Sequence, residues 1–158
     1  RNDKEIKAEK QLTPFQKTEK LLYELRFLKG AIDTKNILIS ELQESGKLIQ
    51  KRNSEINVQS SKVYLSELEK VENRIEKLKD EIDRLARVVE MTEKALETIK
   101  SSKYYKIIEM RYFDDMTLEF ISENLGIGIT TIKRHKNMLI RQLQIIIFSD
   151  EVIKNILN

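Results

Sequence analysis

The feature that most constrains the fold is an uninterrupted apolar repeat within residues 62–100. Its members, all aliphatic except one threonine, recur in alternating steps of three and four: Leu68, Val71, Ile75, Leu78, Ile82, Leu85, Val89, Thr92, Leu96 and Ile99. This spacing places one stripe on one side of an α-helix, and β-branched residues at one set of positions favour two-stranded pairing. We therefore predict a helix over residues 62–100 with coiled-coil character, whose stripe needs a partner helix.

A similar stripe lies nearer the start of the chain. Thr13 and Pro14 are typical of a helix start, as a cap residue followed by proline at the first helical position. A four-three spacing, interrupted by Lys35, then includes Leu21, Leu25, Leu28, Ile32, Ile39 and Leu42. The pattern predicts a helix over residues 13–45 that ends at Gly46.

Polar stretches flank this first helix. Residues 1–12 are charged and without period, which predicts a disordered arm. Residues 46–61 are mostly polar and predict a connection with a helical turn or two. The two stripes could pair as an antiparallel hairpin within one chain, or each could pair with a second chain. We favour the hairpin, with homodimerisation added to it.

Composition narrows the possible functions. Charged residues make up 35% of the 158 residues, the net charge is +3, and there is no cysteine. The chain therefore has no disulfide framework and no thiolate site, and a reducing compartment fits. The longest apolar run, residues 145–148, is far too short to span a membrane. With one histidine and no glycine-rich phosphate loop, we expect no enzyme, no cofactor and no metal site.

A helix, a tight turn and a second helix are predicted between Thr117 and Leu143. Thr117 is a plausible N-cap, and Glu119 follows in the first turn, where a carboxylate is favourable. Gly126 lies where the first helix must stop, since glycine adopts the left-handed conformation at little cost. The second helix can begin near Gly128. This order is typical of a DNA-binding helix-turn-helix.

The second helix has two different faces. At 100° per residue, one side carries Ile132, His135, Leu139, Leu143 and Ile146. The opposite side carries Thr130, Arg134, Asn137 and Arg141, with Lys133 and Lys136 beside them. No acidic residue occurs from residue 124 to residue 149. The pattern predicts that Thr130, Arg134 and Asn137 read base edges and that Lys133, Lys136 and Arg141 hold phosphates, whereas His135 packs inward.

Two further helices complete the predicted C-terminal domain, residues 101–158. Residues 103–113 predict its first helix, after a break at Ser101 and Ser102. Asp114 and Asp115 are interpreted as a turn and not as a metal or acid–base site. Residues 149–157 predict a short amphipathic helix, which either packs back on the domain or forms a dimer contact. The chain is thus predicted to be all-α, with a helical hairpin over residues 13–100.

Residues 103–143 resemble region 4 of sigma-70-type factors. The likeness rests on I-x-x-R-Y at 108–112, T-L-E-x-I at 117–121, N-L-G-I at 124–127 and T-I-K-R-H at 131–135. The whole layout, a helical hairpin before a lone sigma-4-like domain of three or four helices, resembles small phage-encoded transcriptional regulators of the RinA and ArpU type. This resemblance implies an activator of phage or mobile-element genes in the bacterial cytoplasm, at the nucleoid.

The resemblance also implies which residues face the bases. The family pattern carries over to Ile129, Thr130, Lys133, Arg134 and Asn137. Sigma factors usually have Arg and Glu at the first two of these positions, so the target is expected to differ from an ordinary −35 element. Double-stranded DNA is the implied partner, with bacterial RNA polymerase as a second.

Two other classes of function stay open from the sequence. Phage small terminases also join a helix-turn-helix to coiled-coil segments, and they form rings. A coiled-coil adaptor that binds RNA polymerase and not DNA is the other alternative. Solution mass distinguishes the packaging protein from the regulator. Replacing Arg134 and Asn137 by alanine distinguishes the adaptor from the regulator, because only the regulator would lose operator binding.

Overall fold

The structure is a computed structural model that describes residues 11–55 and 61–157, and every element in these ranges is helical. The helices are α1 (Pro14–Glu55), α2 (Ser61–Glu97), α3 (Tyr105–Ile108) with a π-helical turn (Glu109–Phe113), α4 (Leu118–Leu125), α5 (Ile129–Ile147) and α6 (Ser149–Leu157). The predicted all-α class is confirmed. No helix in the described ranges combines the length and the apolarity that crossing a membrane requires.

The described residues form two compact units. The hairpin unit runs from Leu25 to Met91, and the helix-turn-helix unit combines the described residues up to Glu24 with those from Thr92. The predicted domain boundaries, after residues 12 and 100, stay predictions. The first ten residues of the predicted arm, and residues 56–60 of the predicted connection, lie outside the described residues.

Antiparallel pairing of α1 with α2 builds the hairpin unit. Lys35 Nζ lies 2.8 Å from Glu81 Oε2, and this hydrogen bond lowers the pKa of the Glu81 carboxyl. Farther along, Arg52 lies 2.9 Å from Glu67. Because later residues of α1 meet earlier residues of α2, the helices run in opposite directions. The predicted intrachain hairpin is therefore confirmed, and Lys35, which interrupts the stripe, has a partner across it.

Gly46 does not end α1, contrary to the prediction. The helix continues to Glu55, and Gly46 is buried facing α2. An added Cβ would lie 3.7 Å from Val71 and 3.9 Å from Leu68. Ile49 follows Gly46 by three residues and continues the apolar stripe. Tertiary packing therefore outweighs the helix propensity that glycine loses, which is about 1 kcal/mol.

This geometry predicts that Gly46→Ala stabilises the hairpin unit. The new methyl group would make ordinary van der Waals contact, and alanine removes the entropic cost of glycine in a helix. We expect the free energy of unfolding to rise by about 0.5–1 kcal/mol, measured by urea denaturation followed by circular dichroism. Gly30→Ala is the control for propensity alone, because its Cβ would meet nothing within 4 Å. A loss of stability specific to Gly46→Ala would contradict the assigned packing.

The start of α1 belongs to the helix-turn-helix unit. Thr13 and Gln16 form a reciprocal capping box: the Gln16 amide donates to Thr13 Oγ1 at 3.2 Å, and the Thr13 amide donates to Gln16 Oε1 at 3.0 Å. The predicted helix start is confirmed, since each side chain satisfies a backbone donor that the helix leaves free. In the next turn, Thr18 and Leu22 are completely or almost completely buried.

The predicted helix over residues 103–113 is only partly regular. After Ile108 it widens into the π-helical turn, in which the Asp114 amide donates to the Glu109 carbonyl at 3.0 Å. Asp115 then adopts φ 53°. Both aspartates are exposed in the short loop before α4, as the interpretation as a turn expected. The irregular turn orients Tyr112 inward, where it is 2% exposed.

The C-terminal helix α6 contacts α1 but leaves apolar side chains uncovered. Lys17 Nζ lies 3.1 Å from Glu151 Oε1 and 5.9 Å from the centre of the Phe148 ring. In contrast, Ile156 and Leu157 are among the most exposed apolar residues described. Both predicted roles, packing back on the domain and contact with a second copy, are compatible with this arrangement.

Candidate nucleic-acid interface

A small apolar core holds α3, α4 and α5 together. Its buried members are Ile107, Met110, Ile121 and Ile132. Half-buried side chains surround them: Tyr104, Met116, Leu118, Leu125 and Ile127. The core takes one side chain from α5 and one from α4, so it determines how the two helices cross.

The turn between α4 and α5 has the geometry predicted from the sequence. Thr117 caps α4 by accepting a hydrogen bond from the Phe120 amide at 3.1 Å. Gly126 ends α4 with φ 65° and ψ 30°, in the left-handed region that favours glycine. Gly128 then precedes α5 as its N-cap residue. The predicted helix, glycine turn and helix are all confirmed.

Four of the seven predicted DNA-binding side chains are exposed on α5. These are Thr130, Lys133, Arg134 and Arg141. Ile129 and Asn137 are half-buried. The basic side chains lie away from Ile132, Leu139 and Leu143, which are all buried. The helix therefore presents exposed cations on one side and packs with the other, although DNA contact by these residues stays a prediction.

Lys136 lies elsewhere, and the predicted phosphate-facing position for it is wrong. The residue is only 9% exposed. Its Nζ lies 3.5 Å from Glu19 Oε2 and 3.5 Å from the Tyr112 hydroxyl. The ammonium is thus held inside the helix-turn-helix unit, because an acidic and a phenolic partner from other helices meet it there.

The helical repeat contains a signal that could have placed Lys136 correctly. It follows Ile132 by four residues and precedes Ile140 by four, and side chains at this spacing share a face. Both isoleucines are completely buried. Its partner Glu19 had no comparable signal, since nothing in the sequence shows which distant helix covers this face.

His135 packs inward, as predicted, and its partner there is an aromatic ring. Its imidazole stacks on Tyr104 with ring centres 3.5 Å apart and an angle of 13° between the planes. Its Nδ1 is buried and has no hydrogen-bond partner among the described residues. Burial first, and then the nearby charges of Arg134 and Lys103, lower the pKa of His135 from its ordinary value of 6.5.

The lowered pKa predicts that acid destabilises the unit. The unfolded chain takes up a proton on His135 at a higher pH than the folded chain, so stability is lost as the pH falls below about 6.5. We expect the wild-type melting temperature to decrease between about pH 7 and pH 5 more than that of His135→Phe, whose ring can still stack on Tyr104. Equal slopes for the two proteins in differential scanning calorimetry would contradict this origin.

Comparison with known proteins gives one family for this part of the chain. Residues 104–144 match the family Sigma-70, region 4. The match begins one residue before α3 and ends within α5, so it contains the apolar core, the glycine turn and the exposed cations. These elements form a sigma-70 region 4-like helix-turn-helix, which indicates DNA binding. Neither curated proteins nor solved structures gave a match to the chain.

The region 4 match leaves out residues that the structure brings to α5. It contains Tyr112 and Lys136 but not Glu19, which α1 contributes. The resemblance to RinA- and ArpU-type regulators, which concerns the whole chain, stays a prediction.

Proposed function

We propose that the chain is a sequence-specific transcriptional regulator that inserts α5 into the DNA major groove. The observation that carries the proposal is the position of Thr130, Lys133 and Arg134, which are exposed on the second helix of the region 4-like segment. A helix in this position typically presents its first turns to base edges. The absence of acidic residues from 124 to 149 favours the approach of phosphates.

Each side chain has a role that follows from its chemistry. Arg134 and Asn137 can form paired hydrogen bonds with guanine and adenine edges, and Thr130 can bond to either. Lys133 and Arg141 would neutralise phosphates, which positions the protein without reading sequence. Ile129, half-buried at the start of α5, would contact a thymine methyl group. Lys136 is not in this set, because its ammonium is engaged with Glu19.

The biological setting is a further part of the proposal. We infer an activator of phage or mobile-element genes that acts by binding and not by catalysis, with RNA polymerase as a second partner. A homodimer, formed through the hairpin or through α6, would engage two half-sites about one DNA turn apart. The exposed apolar side chains Ile153, Ile156 and Leu157 support a dimer contact through α6.

Salt dependence of DNA binding tests the proposal. The full chain first selects a duplex from a random-sequence library, and its affinity is then measured by fluorescence anisotropy at several salt concentrations. The two cations assigned to phosphates, Lys133 and Arg141, predict a log–log slope of about −1.8 per domain and about −3.6 for a dimer on two half-sites. Affinity that does not change with salt would contradict the proposal.

Solution mass tests the packaging alternative on the same protein. A monomer or dimer in sedimentation equilibrium is expected for the regulator. A closed ring of many subunits would favour a packaging protein of the small terminase kind.

A further inference from the structure

A polar contact between three helical segments joins the start of the chain to α5. Glu19 on α1 accepts a hydrogen bond from the Tyr112 hydroxyl at 2.7 Å. The same carboxylate oxygen, Oε2, lies 3.5 Å from Lys136 Nζ. The side chain of Lys136 is 11% exposed and that of Glu19 is 27% exposed. We call these three side chains the Glu19 triad.

Aromatic rings surround the ammonium of the triad. Lys136 Nζ lies 6.0 Å from the ring centre of Phe15 and 5.9 Å from that of Tyr112. Tyr23 packs edge-on against Tyr112, with 4.8 Å between ring centres. Burial and the Glu19 hydrogen bond raise the pKa of the Tyr112 hydroxyl, so it stays protonated and donates to the carboxylate. A buried ammonium in such surroundings depends on a carboxylate partner, which Glu19 provides.

The triad lies beside the residues proposed to read DNA. Lys136 comes between Arg134 and Asn137 in the sequence, and Lys133 is its neighbour at the i−3 position. When Lys136 is held on one side of α5, the rotation of that helix about its axis is restricted. Base readout requires side chains within about 0.5 Å of the productive geometry. A contact that restricts this rotation therefore bears directly on readout.

A second contact restrains the end of α5. Lys17, two residues before Glu19, pairs with Glu151 of α6 and lies over the ring of Phe148, the residue that follows α5. The first turns of α1 thus contact the middle of α5 through Glu19 and its end through Lys17. These turns lie outside the matched residues 104–144.

We propose that Glu19 and Lys136 are positioning residues for DNA binding, and that the first turns of α1 are an integral part of the DNA-binding unit. Glu19 holds Lys136, and Lys136 sets the rotation of α5. Neither residue contacts DNA in this arrangement. The inference rests on the proposed function, since positioning is measured through binding.

A double-mutant cycle in the full chain tests the proposal. The variants are Glu19→Gln, Lys136→Met and the double variant, and the probe is the duplex that the wild-type chain selects from a random-sequence library. Each single change breaks the contact between Glu19 and Lys136, and the double change breaks no further contact between them. We expect each single variant to bind roughly tenfold more weakly and the double variant to bind about as weakly as the worse single variant.

The salt slope separates positioning from direct contact. A lysine that holds a phosphate contributes about 0.9 to the slope, so its loss would make the slope shallower. For positioning, Lys136→Met keeps the wild-type slope while its affinity falls. A shallower slope for Lys136→Met, together with wild-type affinity for Glu19→Gln, would overturn the proposal in favour of phosphate contact.

Two exposed residues near Glu19 on α1 serve as matched controls. Glu24→Gln removes an exposed carboxylate and Lys20→Met removes an exposed ammonium. Both should bind within about twofold of wild type, since neither residue belongs to the Glu19 triad or to α5. Tyr112→Phe removes only the hydroxyl that donates to Glu19, so it replaces Glu19→Gln in the cycle if that variant does not fold.

Amide hydrogen exchange provides a reading that needs no DNA. We expect residues 129–141 to exchange faster in each single variant, and to a similar extent in the double variant. If the wild-type chain selects no duplex, the proposed function fails. The amide exchange of residues 129–141 then tests by itself whether Glu19 and Lys136 position α5. Wild-type exchange and affinity in both single variants, or a double variant whose loss of affinity is the product of the two single fold-changes, would overturn the inference.

Discussion

Replacing Arg134 and Asn137 together by alanine is expected to weaken binding to the selected duplex by at least about 30-fold. Each side chain can form a paired hydrogen bond with a base edge, and each such contact is worth about 1–3 kcal/mol. Arg134 is exposed and Asn137 is half-buried on α5, so neither change opens a cavity in the core. Fluorescence anisotropy with the labelled duplex measures the effect, and melting temperatures check that the variant folds.

The control for lost charge is Lys79→Ala on α2, which removes one exposed cation from the hairpin unit. It should bind within about twofold of wild type, because this lysine does not belong to the helix proposed to read bases. A mixed-sequence competitor provides the specificity reading: the double variant should lose more affinity for the selected duplex than for the competitor. Unchanged affinity for both duplexes would contradict base reading by Arg134 and Asn137, and a wild-type chain that selects no duplex would favour the adaptor that binds RNA polymerase and not DNA.

Replacing Ile121 by alanine is expected to destabilise the helix-turn-helix unit by about 2–5 kcal/mol. Ile121 is fully buried in the core that joins α3, α4 and α5, so the shortened side chain leaves a cavity as well as losing apolar contact. Tyrosine fluorescence during urea denaturation suits the measurement. The chain has no tryptophan and five tyrosines, and four of them, Tyr23, Tyr104, Tyr105 and Tyr112, belong to this unit.

Ile37→Ala is the matched control, with the same change of side chain at a position that is 60% exposed in the hairpin unit. The Ile37→Ala change should alter the free energy of unfolding, measured by tyrosine fluorescence, by less than about 0.5 kcal/mol, as most surface substitutions do. If Ile121→Ala were no more destabilising than Ile37→Ala, the assigned core would be wrong. The two variants also separate a loss of DNA binding through unfolding from the direct effect of Arg134 and Asn137.

Local rules of capping and turn formation predicted several helix starts and one helix end from only a few neighbouring residues. The caps at Thr13 and Thr117 and the left-handed Gly126 follow from backbone donors and φ values that only certain residues satisfy. The same kind of rule was wrong at Gly46. There the residue lies against Val71 and Leu68 of the other helix, and packing across the hairpin outweighs a propensity of about 1 kcal/mol.

The π-helical turn at Glu109–Phe113 is a second feature that local periodicity did not predict. Residues 103–113 have the repeat of a regular helix, and the extra residue in the turn is visible only in the hydrogen bond from Asp114 to Glu109. The π-helical turn matters for the site, because it contains Tyr112, whose hydroxyl donates a hydrogen bond to Glu19. Periodicity describes which side of a helix is apolar, but it does not report a local change in hydrogen-bond register.

The sequence by itself determined the two long helices with their apolar stripes and the helix-turn-helix with its glycine turn. Each depends on the spacing of residues near one another in the chain, and spacing can be read without coordinates. Only the tertiary structure decided that the two apolar stripes pair within one chain and that Glu19 holds the ammonium of Lys136. Glu19 and Tyr112 are 93 positions apart, and their contact depends on how α1 packs beside α5. The buried ammonium of Lys136 is stabilised by a carboxylate from a different helix, and the spacing of residues within α5 does not show which helix provides it.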